Sequence, residues 1–367
     1  MARKYFPKSV EEMVLWYQHY VSPLSLIAGF LSDNFILLKR VDLLRTNLLL
    51  LFYLFVCAFG IVAINMIAAG HVKNQKIVSW APAIPIAVQF AFGGLFSGYL
   101  SLYSRSASLA TSWIFVIVLA VLLLGNERFM RFYALFPFQI SLYFGSLFSF
   151  LIFFLPVIVH QIGPQMFLIS GGLSLILITF FLIALYRLVP EIVKKNRTRV
   201  ARAIAIIYVV FNALYFTNLI PPLPLAIKDA GVYHSVIHES DGTYQLTGEV
   251  LPWYEAYLNY SVVYHQNDGE PVYVYTAIFA PNNLSTTIKY EWQQYDEGSR
   301  AWVTTDTLSF PILGGRDAGY EGYTVKDNVT PGDWRVNVIT SYGQLIGRVS
   351  FTDVAVSSAA STTVSIK

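Results

Sequence analysis

Residues 216–236 read FTNLIPPLPLAIKDAGVYHSV, and two incompatible patterns meet inside them. Up to Ile220 the chain is apolar with no period of two. Prolines 221, 222 and 224 then withhold backbone donors and stop a helix, and from Gly231 apolar and polar residues alternate as in a half-buried strand. The junction predicts a helical region over 21–220, a Pro-rich linker over 221–230 and a β domain over 231–367.

Working back from the junction, six segments approach the roughly 20 apolar residues that a membrane-crossing helix needs: 46–70, 82–104, 107–125, 136–159, 165–186 and 203–220. A seventh, VSPLSLIAGFLSDNFILL at 21–38, carries Asp33 and Asn34, and a carboxylate in hydrocarbon costs a few kcal/mol. Composition agrees with a membrane protein. The chain is 55% hydrophobic and 13% charged, with a mean hydropathy of +0.53, against about 25% charged in soluble proteins. Ahead of these segments, Ser9 and Glu12 fit a capping box, and Val10, Met13, Val14 and Tyr17 share a helical face, which predicts an amphipathic interfacial helix over 1–20. That stretch lacks the apolar core and small-residue cleavage site of a removable signal peptide.

Loop charges choose the orientation. With seven spans and a cytoplasmic N-terminus, 13 Lys and Arg face inward and four (Lys39, Arg40, Arg45, Arg105) face outward; without the first span the best split is 10 to 7. The positive-inside rule favours seven spans and an external C-terminal domain. Asp33 and Arg105 then fall on the same outer side, and the expectation is an intramembrane ion pair between them, since pairing is the less costly way to keep either charge there.

The +3 net charge hides an asymmetry, because residues 225–367 carry 8 Lys and Arg against 16 Asp and Glu. An acidic domain repels phosphate backbones, so nucleic acid is excluded as a partner. A single cysteine, Cys57, excludes an intrachain disulfide framework.

Within the C-terminal half, HESDGTYQ, YHQNDGEPVYVY and QYDEGSRAW each set Asp-Gly or Glu-Gly between β-formers, a hairpin signal. In GDWRVNVITSYGQLIGRVSF, Trp334, Val336 and Val338 share a face, and Leu345, Gly347, Val349 and Phe351 continue it beyond a turn at Tyr342 and Gly343. Seven or eight short strands predict an antiparallel, immunoglobulin-like sandwich with Trp334, Val336 and Val338 in its core.

The stretches FAFGGLFSGYLSLYSRSASLATSW, GNERF, YFTNLIPPLPLAIKDAGVYHSV, GEPVYVYTAIFAP, WQQYDE, FPILGGRDAGYEGYTVKDNVTPGDWRVNV and GQLIGR together resemble the multi-span bacterial proteins that end in the domain of unknown function 2914 (DUF2914). The resemblance implies an inner-membrane protein with a C-terminal β domain. It implies no activity, cofactor or catalytic residue.

His234 and His238 have H-x3-H spacing, a metal pattern on a helix, but on a strand the two lie about 13 Å apart; both read as surface histidines. No P-loop, G-x-S-x-G, H-E-x-x-H or dinucleotide fingerprint is present. The Gly-rich stretch GGRDAGYEGY offers Gly314, Gly315, Arg316, Asp317, Tyr320 and Tyr323 as a contact loop, against the plainer reading of a turn with a local ion pair. Trp253, Trp292, Trp302 and Trp334 are either core or a platform for envelope sugars. Gly94, Gly98 and Ser101, echoed by Gly145 and Ser149, read as close helix packing; Asn65, Gln89 and Asn212 read as interhelical hydrogen bonders. The leading expectation is a non-enzymatic protein of the bacterial cytoplasmic membrane, in contact with the lipid bilayer and presenting a β-sandwich to an envelope protein or glycan. The alternatives are a transporter-like bundle and an extracytoplasmic hydrolase.

Overall fold

The structure, a computed structural model, describes residues 40, 42–106, 112–126, 132–222, 224–250, 262–267, 269–316, 318–357 and 360–367. The chain divides into two units, one of Met1–Ser104 with Ile114–Ile220, which is helical, and one that groups Pro221–Lys367, the β unit, with Arg105–Trp113.

Seven helices are described: α1 (Leu44–Ala68), α2 (Gln75–Ser79), α3 (Ile84–Ser106), α4 (Trp113–Gly125), α5 (Phe136–Val159), α6 (Pro164–Leu188) and α7 (Pro190–Phe216). Five segments are long and apolar enough to cross a membrane: α1, α3 with the turn before it, α5, α6 and α7. The stretch read as a span over 107–125 shows a described helix of only 13 residues, about 20 Å at 1.5 Å per residue and short of a bilayer core. The segment 21–38 with Asp33, and the amphipathic helix expected over 1–20, lie outside the described residues. The pairing of Asp33 with the Arg105 side chain lies outside them as well.

Prolines set the helix starts. Pro137, Pro164 and Pro190 occupy first-turn positions, where the missing N–H would have no partner anyway. The last helix corrects the sequence reading of 203–220. It starts at Pro190, so the basic stretch KKNRTRVAR is helical and continuous with the apolar half, and it ends at Phe216. The helical core is aromatic: Phe148 stacks on Phe211 at 4.8 Å and on Tyr208 at 5.8 Å, and Phe167 stacks on Tyr215 at 3.8 Å.

Buried polar side chains join three helices. Asn65 Nδ2 donates to Gln139 Oε1 at 2.6 Å, Gln139 donates to the Tyr133 carbonyl, Tyr133 OH donates to Asn126 Oδ1 at 2.6 Å, and Asn126 Nδ2 donates to the Gln89 carbonyl at 2.9 Å. Asn212 instead donates to the Tyr208 carbonyl on its own helix, and it makes no interhelical hydrogen bond among the described residues. Gly94 lets Tyr53 of α1 lie against α3, whereas a Cβ on Gly145 would meet nothing within 4 Å; in the second stripe the contact between helices is at Ser149, whose carbonyl accepts from Tyr103 OH of α3 at 3.1 Å.

The β unit holds eleven described strands: β1 (Ala226–Tyr233), β2 (Ser235–His238), β3 (Tyr244–Glu249), β4 (Val262–Gln266), β5 (Val272–Phe279), β6 (Ser285–Asp296), β7 (Ala301–Leu313), β8 (Tyr320–Lys326), β9 (Gly332–Thr340), β10 (Leu345–Ala355) and β11 (Thr362–Ile366). They form sheets ordered β1-β5-β8, β4-β10-β9-β6-β7 and β11-β3-β2. The first strand begins at Ala226, inside the stretch read as linker, because the prolines end at 224 and Ile227 already packs against Gly347.

Two of the three hairpin signals give hairpins, β2–β3 and β6–β7. The third, YHQNDGEPVYVY, does not: β4 pairs with β10, in parallel, and β5 pairs with β1 and β8. The stretch between Gln266 and Val272 therefore carries the chain from one sheet to another. Its local chemistry is the same in both cases, and only the partners differ.

Alternate residues of β5 serve both faces of its sheet. Thr276 hydrogen-bonds Tyr290 of the five-stranded sheet, and Trp292 Nε1 donates to Thr324 Oγ1 of β8 at 3.2 Å. On the other face Tyr275 and Ala277 pack with Val236 and Leu246 of the β11-β3-β2 sheet. This explains why VYVYTAIF is apolar without a break: a strand covered on both faces has no polar side to show. Trp334, Val336 and Val338 are 2, 0 and 0% exposed, and Trp292 is 0% exposed.

Candidate functional site

His234 stands at the joint between β1 and β2, where its N–H donates to the Thr247 carbonyl at 2.8 Å. The break between strands turns its side chain inward, and only 8% of it is exposed. It is not the surface histidine that strand spacing suggests. Nδ1 lies 2.7 Å from Glu270 Oε1 and 3.1 Å from Tyr264 OH, and the imidazole stacks on the Tyr264 ring at 4.6 Å. Nε2 is buried, makes no hydrogen bond among the described residues, and faces Glu249 Oε1 at 3.5 Å.

Each carboxylate is itself held. Glu270 Oε2 accepts from Asn267 Nδ2 at 2.8 Å and from the Asn267 N–H at 3.2 Å. Glu249 accepts the His265 N–H at 2.6 Å and faces His265 Nδ1 at 2.8 Å. Two carboxylates are thus fixed on opposite sides of one imidazole by the backbone and side chains of the β4–β5 turn and of β4. Asp353, the register partner of Tyr264 across the parallel pair, is 2% exposed, and neither carboxylate oxygen is hydrogen-bonded among the described residues. Burial raises its pKa to about 6. Burial, with Glu270, Glu249 and Asp353 nearby, also pushes the Tyr264 phenol far above its usual range.

Beside this cluster opens a cavity of about 330 Å³, lined by residues that include Glu249, Tyr264, Tyr233, Asp229, Ser350, Thr363 and Ser365. Asp229 is paired with Lys367 Nζ at 2.7 Å. A side chain at Gly231 or Gly248 would run into the Tyr233 ring, so these glycines give the tyrosine its place at the wall. The residues on offer are carboxylates, hydroxyl-bearing side chains and two tyrosines. Among the described residues no group of three or more His, Cys, Asp or Glu is arranged to hold a metal ion.

The sequence-predicted contact loop lies elsewhere. A Cβ at Gly314 would collide with the carbonyls of Ala280 and Pro281, and Gly314 and Gly315 donate to the Leu284 and Ala280 carbonyls. The close approach that these glycines permit is to the chain's own 280–284 turn. Arg316 lies 5.5 Å over the Tyr320 ring, Asp317 is outside the described residues, and Tyr323 is 41% exposed beside Tyr273. Of the four tryptophans, Trp292 and Trp334 are core and not sugar platforms, Trp302 is covered by Arg335 at 4.2 Å, and Trp253 is outside the described residues. His238, far from the cluster in role, is exposed and lies against Tyr244.

Sequence reasoning missed the cluster because its members sit on four separate stretches. The available signal was the concentration of His, Glu and Tyr at 234, 249, 264, 265 and 270 in an otherwise apolar, alternating region.

No curated protein matches the chain. Among solved structures, the Pseudomonas fluorescens alkylpurine DNA glycosylase AlkC, bound to DNA containing an abasic site analog, is 11% identical over 77% of this chain and 83% of that chain; its TM-score of 0.23 carries no argument. Residues 285–352, from the start of β6 into β10, match the family described as "Protein of unknown function (DUF2914)".

Proposed function

We propose that the chain is a non-enzymatic protein of the bacterial cytoplasmic membrane, whose apolar helices anchor a β domain on the extracytoplasmic side, and that this domain binds a hydroxyl-rich ligand such as a glycan fragment. The loop charges support the orientation. The facing β1-β5-β8 and five-stranded sheets support an immunoglobulin-like core, to which the β11-β3-β2 sheet is added. One observation carries the ligand class: the cavity of about 330 Å³ lined by Asp229, Glu249, Thr363, Ser365 and two tyrosines, Tyr233 and Tyr264. A sugar ring presents hydroxyl donors at its rim and C–H groups on its face, which match carboxylate acceptors and aromatic rings respectively.

The fixed pair of Glu270 and His234 beside the cavity favours the hydrolase alternative, because an imidazole oriented by a carboxylate is a general-base arrangement. His234 itself does not line the cavity, and binding is therefore the leading reading. The buried chain from Asn65 to Gln89 joins helices to one another and supports an anchor in preference to a conduction path.

The test is calorimetric titration of the full chain in a non-ionic detergent free of sugar headgroups, using neutral and amino monosaccharides and disaccharides. One of them should bind, and Glu249→Gln should weaken binding about tenfold, the loss of one charge-assisted hydrogen bond. Binding that Glu249→Gln leaves intact would remove the cavity from consideration, and turnover abolished by that change would favour the hydrolase.

A further inference from the structure

One face of the five-stranded sheet carries a second arrangement, on strands β9 and β10. Arg335 of β9 donates from Nε to Gln293 Oε1 at 2.7 Å, and Arg348 of β10 donates from Nε to Asn337 Oδ1 at 2.6 Å. Asn337 Nδ2 in turn donates to the same Gln293 oxygen at 3.2 Å. One relay of two amides therefore holds two guanidiniums on adjacent central strands. The plane of Arg335 is also fixed from one side by the Trp302 ring at 4.2 Å, and Trp302 rests edge-on against Tyr295 at 5.3 Å.

What the relay leaves out is negative charge. Gln and Asn accept from each Nε without neutralising it, whereas Glu or Asp at 293 or 337 would have made ion pairs of similar geometry. Among the described residues neither arginine forms an ion pair, and no hydrogen bond from their terminal Nη groups is made. Glu291 is the acid that acts on Arg335, through space only, and Asp333 on the same face accepts from Thr352. Burial and the neighbouring Arg348 lower the Arg335 pKa to about 10, which leaves it charged at neutral pH. Two like charges held in each other's field repel, and an anion bound between them removes that repulsion.

We propose that Arg335 and Arg348 form an oxyanion site, in which the free Nη edges of both guanidiniums grip one phosphate or carboxylate group. A guanidinium fork matches either group, and central strands hold the forks rigidly enough for the geometry to persist. Trp302 both orients Arg335 and reports on it.

The experiment uses the full chain in non-ionic detergent, titrated with inorganic phosphate and with acetate against chloride at matched ionic strength, and read by tryptophan fluorescence and calorimetry. Saturable phosphate or acetate binding is expected, about tenfold weaker in Arg348→Gln and also in Arg335→Lys, which keeps the charge but loses the fork. Trp302→Phe should silence the fluorescence change while calorimetric binding persists. Circular dichroism of each variant separates lost binding from lost fold, and Arg335→Lys, a change of shape alone, serves where Arg348→Gln unfolds. Absence of saturable binding by either oxyanion, or equal affinity in both folded arginine variants, overturns the site. Repeating the titration in nanodiscs identifies the source: a phosphate response present in phosphatidylcholine and already saturated in phosphatidylglycerol assigns the group to lipid headgroups, and an equal response in both assigns it to a soluble or polymer-borne oxyanion.

Discussion

Asp353 is a carboxylate on a buried position of β10 with no hydrogen-bond donor on either oxygen among the described residues. Burial raises its folded pKa from 3.8 to about 6, so between these values the unfolded chain has lost a proton that the folded chain keeps. Stability from this group is therefore highest near pH 4, falls as pH rises to about 6, and is constant above that. The shift corresponds to at most about 3 kcal/mol at 1.36 kcal/mol per pKa unit. Asp353→Asn should stabilise the β domain at pH 7.5 by about 1–2 kcal/mol, since the new amide still has no partner, and the gain should shrink toward pH 4; urea midpoints across that range decide it. An unchanged or larger gain at pH 4 would mean that the carboxyl is not the source. Trp334 was legible at this scale, because a tryptophan in strict alternation with valines can face only inward or outward. The burial of His234 was not, since it depends on a joint between strands that alternation does not encode.

At the scale of elements, α1 and α3 show how a glycine stripe becomes specific. A Cβ on Gly94 would lie 2.5 Å from Tyr53 Cε2, whereas one on Gly145 would meet nothing within 4 Å. Gly94→Ala should destabilise the detergent-solubilised protein by about 1–3 kcal/mol through overpacking. Gly145→Ala should be neutral, or stabilising by up to about 1 kcal/mol through helix propensity. Equal effects in denaturant unfolding would show that α1 does not depend on this contact. Both glycines lie in small-residue stripes, so sequence spacing alone made them equivalent; which one touches a neighbour is set by how each helix is rotated in the bundle. Helix starts were better encoded, since proline acts through its own missing N–H and needs no partner.

For the whole molecule, the proposed orientation predicts that in intact cells, with Cys57 first replaced, Ser240→Cys reacts with a membrane-impermeant thiol reagent and Lys195→Cys does not. The reverse pattern would place the β domain in the cytoplasm and remove the envelope reading. Sequence by itself determined that the chain is part apolar helix, long enough to cross a membrane, and part β domain, because hydropathy and period are sums over neighbouring residues and the prolines at 221, 222 and 224 mark the change locally. It also marked the hairpins whose two strands flank the turn. Only the tertiary structure decided that the stretch between Gln266 and Val272 crosses between sheets, that β5 is covered on both faces, and that His234, Glu249, Tyr264 and Glu270 meet. The same holds for the amide relay that holds Arg335 and Arg348. These outcomes are pairings between residues distant in the chain, and their stability depends on which surfaces are left to be covered once the local elements exist; no residue's own neighbours carry that information.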